Sequence, residues 1–139
     1  MTPSELATLH AAAFSATRAW SADEFADLLK HPGTFVIGDA HSFALIRTVL
    51  DEAELLTIAT APTMRRQGLA RAALTAGERR AQTEGAVTLF LEVAEDNDPA
   101  IALYTASGYR QIGRRPGYYL PKDGAPLAAL VLRKSLTVI

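Results

Sequence analysis

The chain has 139 residues, 49% hydrophobic and 21% charged, with 14 Lys and Arg against 15 Asp and Glu and no cysteine. That length suits one compact domain, residues 1–139, with a substantial buried core, and the apolar share with a net charge of −1 excludes a disordered chain. The missing cysteines exclude disulfides and thiolate nucleophiles or metal sites, and the near-neutral balance argues against a dedicated nucleic-acid binder.

Pro3, Glu5, Leu6, Leu9, Ala13 and Phe14 have helical spacing, with proline suited to the first turn. No run approaches the ~18 apolar residues of a membrane span. Met1-Thr2-Pro3-Ser4-Glu5 lacks the basic start and apolar run of a signal peptide. A cytoplasmic protein with no membrane contact is expected. A second helix opens at Ser21. Glu24 completes a capping box, and Trp20 and Phe25 stand where a hydrophobic staple would form. His31-Pro32-Gly33 ends it.

Three strands are predicted next, over Thr34–Ile37, Phe43–Leu50 and Glu54–Thr60. Gly38-Asp39-Ala40-His41 and Asp51-Glu52 supply the turns. A helix follows Met64-Arg65-Arg66-Gln67-Gly68-Leu69-Ala70 and runs to about Thr83. Its inner face, Ala70, Ala73, Leu74, Gly77 and Ala81, consists largely of small residues, so it can lie very close to a sheet. Thr88–Val93 is a strand with Leu89, Leu91 and Val93 on one side and Thr88, Phe90 and Glu92 on the other. Asn97 or Asp98 caps a helix whose first position is Pro99 and which stops at Gly108. Tyr109–Ile112 and Leu127–Leu136 are the last strands, separated by a polar loop with Pro121-Lys122-Asp123-Gly124. The order ααβββαβαββ indicates an α/β or α+β domain with a mixed sheet.

Chemistry concentrates where the third strand meets the third helix. The first helical turn has unpaired N–H groups and partial positive charge. Gly68 permits close approach to the backbone, and Arg65 and Arg66 add full charges, as a diphosphate requires. GxxxxGK[ST] and GxGxxG are both absent, which removes the usual support for ATP or a dinucleotide. The short string alone also fits a solvated basic N-cap. His10, His31 and His41 share no metal-ligand spacing and are expected at the surface, so no metal is expected. Asp51, Glu52 and Glu54 fit a solvated turn or a lure for a cationic acceptor.

Arg65-Arg66-Gln67-Gly68-Leu69-Ala70 matches R/Q-x-x-G-x-G/A. It is followed by Leu91-Glu92-Val93, Asn97, Ala100-Ile101-Ala102-Leu103-Tyr104 and Gly108-Tyr109. On these motifs the chain resembles the GNAT N-acetyltransferase superfamily and, within it, the RimI-type ribosomal-protein alanine N-acetyltransferases. Arg18-Ala19-Trp20-Ser21, Arg114-Arg115 and Tyr118-Tyr119 extend the likeness over nearly the whole chain. The short opening strand of the family is missing or degenerate here, and Pro116-Gly117 replaces a residue that is typically Asn.

The resemblance implies an acyl-CoA N-acyltransferase fold, a mixed central sheet with splayed strands flanked by helices. Acetyl-CoA would enter between Glu54–Thr60 and Thr88–Val93. Backbone groups of Ile58, Ala59 and Thr60 would pair with the pantetheine arm. The amides of Arg66, Gln67, Gly68, Leu69 and Ala70 would hold the pyrophosphate beside Arg65, and Asn97 and Tyr104 would contact the arm. It assigns Glu92 as base, Tyr104 as general acid and Tyr118 and Tyr119 to the acceptor groove. Taken alone, Glu92 also fits a solvated carboxylate, Tyr104 a packing residue, and Tyr118 and Tyr119 side chains that pack the last loop. The acceptor implied is the N-terminal alanine of a small-subunit ribosomal protein. The alternatives are a small amine (polyamine, amino acid or drug) or a non-catalytic acyl-CoA-binding module. Neither nucleic acid nor membrane is a direct partner, and the oligomeric state stays open.

Overall fold

The computed structural model describes residues 1–14, 19–119 and 124–137. Arg18 and Pro121 to Asp123 of the late loop lie outside these. Among the described residues four α-helices flank a six-stranded sheet: α1 (Pro3–Ala13), α2 (Ala22–Leu29), β1 (Thr34–Gly38), β2 (Ser42–Val49), β3 (Glu52–Thr60), α3 (Leu69–Thr83), β4 (Thr88–Ala94), α4 (Asp98–Ala106), β5 (Arg110–Tyr119) and β6 (Leu127–Ser135). The strand order is β1-β2-β3-β4-β6-β5. All neighbours are antiparallel except β3 and β4, which are parallel, so the mixed sheet expected from the element order is observed.

Both N-terminal helices start at reciprocal caps. Ser21 Oγ accepts from Glu24 N–H while Glu24 Oε1 accepts from Ser21 N–H, and the predicted staple closes with Trp20 and Phe25 rings 5.6 Å apart. Thr2 and Glu5 make a second capping box, which the sequence reading passed over in favour of Pro3.

The strands divide two cores by alternation. On β2, Phe43 and Leu45 pack with Leu6, Leu9 and Phe25 of α1 and α2. Ala44 and Ile46 face the opposite side, with Ala73, Leu74 and Ala81 of α3 and Tyr104 of α4. The small-residue face of α3 has the predicted consequence: a Cβ on Gly77 would lie 2.3 Å from Ile46 Cδ1. Leu89, Leu91 and Val93 share the α3–α4 core, as alternation requires.

Three expectations need correction. His10 is buried, 3% exposed, because its ring fills the space between α1 and α2, stacked 5.1 Å from Trp20 and 4.5 Å from Phe14. β5 does not stop at Ile112 but continues to Tyr119 along β6. It carries irregularities after Gln111 and Arg115 that accommodate Pro116 and Gly117. The turn after β2 centres on Leu50 and Asp51, with Leu50 in the left-handed region (φ 57), and β3 starts at Glu52.

Candidate active site

The site begins with one extra residue. Leu45 pairs with Thr57 and Ile46 with Leu55, so Leu56 is left over in β3. This bulge changes the phase of the strand: Ala53 and Leu55 face the α3–α4 core, but beyond it Ile58 does. A bulge bends and twists the strand that carries it. Pairing between β3 and β4 ends there, at Leu55–Leu91. β3 continues along β2 to Thr60 and β4 along β6 to Ala94. The two strands therefore diverge, and backbone N–H and C=O groups on the inner edges of the gap have no ladder partner from the facing strand.

The gap is a cleft of about 560 Å³. Leu55 to Thr60 form one wall. Glu92, Val93 and Ala94 form the other, and α4 contributes Ala100, Leu103 and Tyr104. Glu92 and Tyr104, assigned on sequence to complementary proton-transfer roles, open into this one space. Ile58, Ala59, Thr60, Arg65, Ala70, Asn97 and Tyr119 also line it. The polar side chains of Thr60 and Asn97 have structural partners. Thr60 Oγ1 lies 2.9 Å from Ser42 Oγ, and Asn97 Oδ1 accepts from Ala100 N–H as the cap of α4. The cleft end of α1 adds His10, Ala13 and Phe14, which join Trp20 in an aromatic wall. Nδ1 of His10 accepts from Trp20 N–H at 3.2 Å.

The loop before α3 has the form a diphosphate needs. After a 3-10 turn over Pro62–Met64, Arg66 and Gly68 both take left-handed φ, 65° and 75°. Gly68 caps α3, and the first helical bond runs from Ala72 N–H to Gly68 C=O. The N–H groups just before it have no intrahelical acceptor. A Cβ built on Gly68 meets nothing within 4 Å, so the backbone is open to an approaching anion. Two further features describe the loop. Arg65 Nη2 donates to Ala13 C=O at 3.0 Å, tying the loop to α1. Arg66, Gln67, Gly68 and Leu69 lie outside the main cleft, and Gly68 borders a shallow depression with Arg71 and Arg79 on the outer face of α3.

β5 adds the next side chains to the site. Arg115 Nη2 reaches across β6 to Glu92 Oε1 at 3.2 Å, and Arg114 pairs with Glu95 Oε2 at 2.9 Å. Tyr119 enters the cleft. Burial, with Glu92 and Tyr118 adding to it, pushes its hydroxyl up to about 12. Tyr118 does not join it: the side chain is exposed and its ring lies 5.6 Å from the Arg115 guanidinium. The two tyrosines still touch edge to face, with ring centroids 5.2 Å apart at 89°, so Tyr118 flanks Tyr119 from outside the cleft. Tyr104 is 5% exposed, and burial, reinforced by Tyr119, raises its hydroxyl well above the usual tyrosine range. Among the described residues no three His, Asp or Glu side chains gather as metal ligands. The Arg115 partner of Glu92 was missed on sequence, where Arg115 stood out only as part of an arginine pair.

A mixed sheet opened by a bulge, with a glycine-capped helix at the mouth of the gap, defines the class. The acetyltransferase (GNAT) family pattern matches residues 5–109, and the chain belongs to that family. It is 40% identical over 91 residues to the [ribosomal protein bS18]-alanine N-acetyltransferase of Haemophilus ducreyi, covering 66% of this chain and 63% of that protein. The chain thus spans less than two thirds of that relative's length. The crystal structure of the ribosomal-protein-S18-alanine N-acetyltransferase from Escherichia coli superposes with a TM-score of 0.88 at 30% identity, over 99% of this chain and 89% of that one. Arabidopsis thaliana NAA60 in complex with acetyl-CoA shares the fold, with a TM-score of 0.80 at 19% identity over 97% and 95% of the chains.

Proposed function

We propose that residues 1–139 act as one catalytic unit, an acetyl-CoA-dependent N-acetyltransferase that modifies the N-terminal alanine of a bacterial small-subunit ribosomal protein in the cytoplasm. The observation that carries this reading is the pair Glu92 and Tyr104 on the walls of a cleft opened by the Leu56 bulge. Family membership and the bS18-alanine relatives support the donor and the acceptor. Among the described residues no helix is long and apolar enough to cross a membrane.

The residues present fit the donor. The inner edge of β3 from Leu56 to Thr60 offers backbone donors and acceptors to the amides of a pantetheine arm. The amides around Gly68 to Ala70 and the positive end of α3 suit its pyrophosphate. When bound, the thioester supplies an activated acetyl carbonyl. Glu92 accepts, directly or through a water, the proton that the α-ammonium must lose. That is a modest demand, since such groups have pKa values near 7.7–8.0. The amine forms the new C–N bond as the C–S bond breaks. A backbone N–H on the opened strand edge stabilises the carbonyl oxygen's developing charge. Tyr104 donates to the departing sulfur. Its raised pKa makes complete proton transfer to a thiolate uphill, so the phenol first acts as a hydrogen-bond donor to the growing charge and yields its proton as the thiol leaves, regaining through water the second proton that the acylated nitrogen sheds. No covalent intermediate on the protein is required.

The test is a mass-spectrometric assay with acetyl-CoA. Peptides starting with Ala, Ser, Met or Gly are compared with a panel of free polyamines, amino acids and amine drugs. Preferred acetylation of the Ala peptide is expected. Selective turnover of a free amine would reassign the acceptor. Acetyl-CoA binding with no product from any amine would make this a binding module.

A further inference from the structure

Beside the proposed acid lies a polar cluster that the mechanism above does not use. Tyr109 Oη donates to Glu78 Oε2 at 2.8 Å. Lys134 Nζ donates to Glu78 Oε1 at 3.0 Å and Oε2 at 3.1 Å. The carboxylate of Glu78 is only 12% exposed and Tyr109 is fully within the core. Three elements meet here: α3 through Glu78, β6 through Lys134, and the link from α4 to β5 through Tyr109.

Tyr109 also grips Tyr104 twice. Its N–H donates to Tyr104 C=O at 3.0 Å, and its ring packs edge-on against the Tyr104 ring, with centroids 5.9 Å apart at 65°. Lys134 lies 5.7 Å from the far ring of the pair. Gly108, at φ 98°, makes the reversal between the tyrosines, and a Cβ there would stand 3.5 Å from Lys134 Cε. A tyrosine needed only to fill the core has no use for a hydroxyl held by a doubly bonded, nearly buried carboxylate. Phenylalanine would pack there without the cost of desolvating the charge.

We propose that Tyr109, Glu78 and Lys134 are positioning residues that fix the Tyr104 phenol in the cleft. The hydroxyl anchor prevents the Tyr109 ring from turning or sliding, and the edge contact passes that constraint to Tyr104. The proposal rests on Tyr104 being the acid.

The experiment is a double-mutant cycle of Tyr109→Phe and Tyr104→Phe, with kcat, the KM for acetyl-CoA and the melting temperature measured for each variant. Tyr109→Phe alone should lower kcat about 10-fold, the scale of a small misplacement of a reacting group, and move the KM less than about twofold. In the Tyr104→Phe background the same change should cost nothing further, because its effect passes through the missing hydroxyl. Equal losses in both backgrounds would mean a general structural role and overturn the proposal, as would parent kcat in Tyr109→Phe. Parent kcat in Tyr104→Phe would instead remove the acid reading and the proposal with it. If Tyr109→Phe does not fold, Glu78→Gln enters the same cycle. It removes the negative charge that faces Lys134 and leaves the Tyr109 hydroxyl only a weaker amide acceptor, so the anchor is loosened and the same outcomes decide.

Discussion

Arg115 and Glu92 stand on strands that are not neighbours, yet Nη2 of one lies 3.2 Å from Oε1 of the other, with β6 passing beneath the contact. The carboxylate is 23% exposed and the guanidinium side chain 59%. The pair therefore sits at the mouth of the cleft rather than in the core. One carboxylate oxygen is held and the other is left for an amine or a water.

This arrangement separates catalysis from stability. A well-exposed ion pair contributes about 0–1 kcal/mol to folding, so Arg115→Ala should melt close to the parent. Glu92→Gln should lower kcat about 100-fold or more, the usual scale of general-base removal, with acetyl-CoA binding by calorimetry unchanged. Arg115→Ala should fall between the two in turnover, and Arg115→Lys should recover part of the loss. Parent turnover in Glu92→Gln would take the base role from this residue.

Gly68 yields a prediction of a different kind. Its left-handed φ of 75° is one that side chains disfavour, and open space surrounds it. Gly68→Ala should cost about 1–2 kcal/mol in denaturant unfolding through backbone strain alone. The added methyl also stands where a diphosphate would meet the amides, so the KM for acetyl-CoA should rise with kcat at saturation little changed. An unchanged KM in a destabilised Gly68→Ala would place the pyrophosphate elsewhere.

The acid side of the stability profile follows from four carboxylates, three exposed and one, Glu95, half-buried. Arg114, then the Ala128 N–H, holds Glu95 below its usual range. Arg80 and Thr48 do the same for Glu84, the His41 and Ser42 N–H groups for Asp39, and Thr2 for Glu5. Lowered native values mean that the unfolded chain binds protons first. The stabilisation is present above the ordinary carboxylate range of the unfolded chain and is lost as pH falls through the lowered native values. Thermal melts should be flat from neutral to weakly acidic pH and then decline, and Glu95→Gln should shallow that decline. A decline of the same steepness in Glu95→Gln would show that its bonds to Arg114 and Ala128 add nothing.

Elements with local signatures were legible in the sequence. Ser21 with Glu24, Asn97 before Pro99, and the Ala73–Gly77–Ala81 face of α3 all depend on neighbours within a turn or two. Glu92 and Tyr104 were legible through family resemblance, since neither residue type is diagnostic alone. What escaped depends on register or on distant partners. The Leu56 bulge shows only when β3 is aligned with β2. The burial of His10 needs Trp20 and Phe25 brought against α1. That Tyr119 enters the cleft while Tyr118 packs on its ring from outside needs the path of β5 along β6, which slips between Arg115 and Tyr119. Glu78 and Lys134, 56 positions apart, carry no signal at all until α3 and β6 are packed together.

The tyrosines supply the alkaline counterpart. Burial is the leading cause of a raised value at Tyr104, Tyr109 and Tyr119, with added repulsion from Tyr119, Glu78 and Glu92 respectively. Only Tyr119, at about 12, comes within reach of mild alkali. A group raised above its unfolded value of roughly 10 stabilises the fold fully below that pH and withdraws the contribution as pH climbs through the native value. Tyrosinate absorbance of the native protein at about pH 11 should therefore fall far short of that of the same protein in urea. The missing signal should appear only as circular dichroism reports unfolding. Tyr119→Phe should leave the residual native signal at that pH nearly unaltered and raise the pH at which the fold is lost, because one group that gains a proton on folding has been removed. Full ionisation of the tyrosines near their ordinary value, with the far-ultraviolet spectrum still native, would show that Tyr104 and Tyr119 are open to water, and with that the argument for a neutral donor in the cleft would fail.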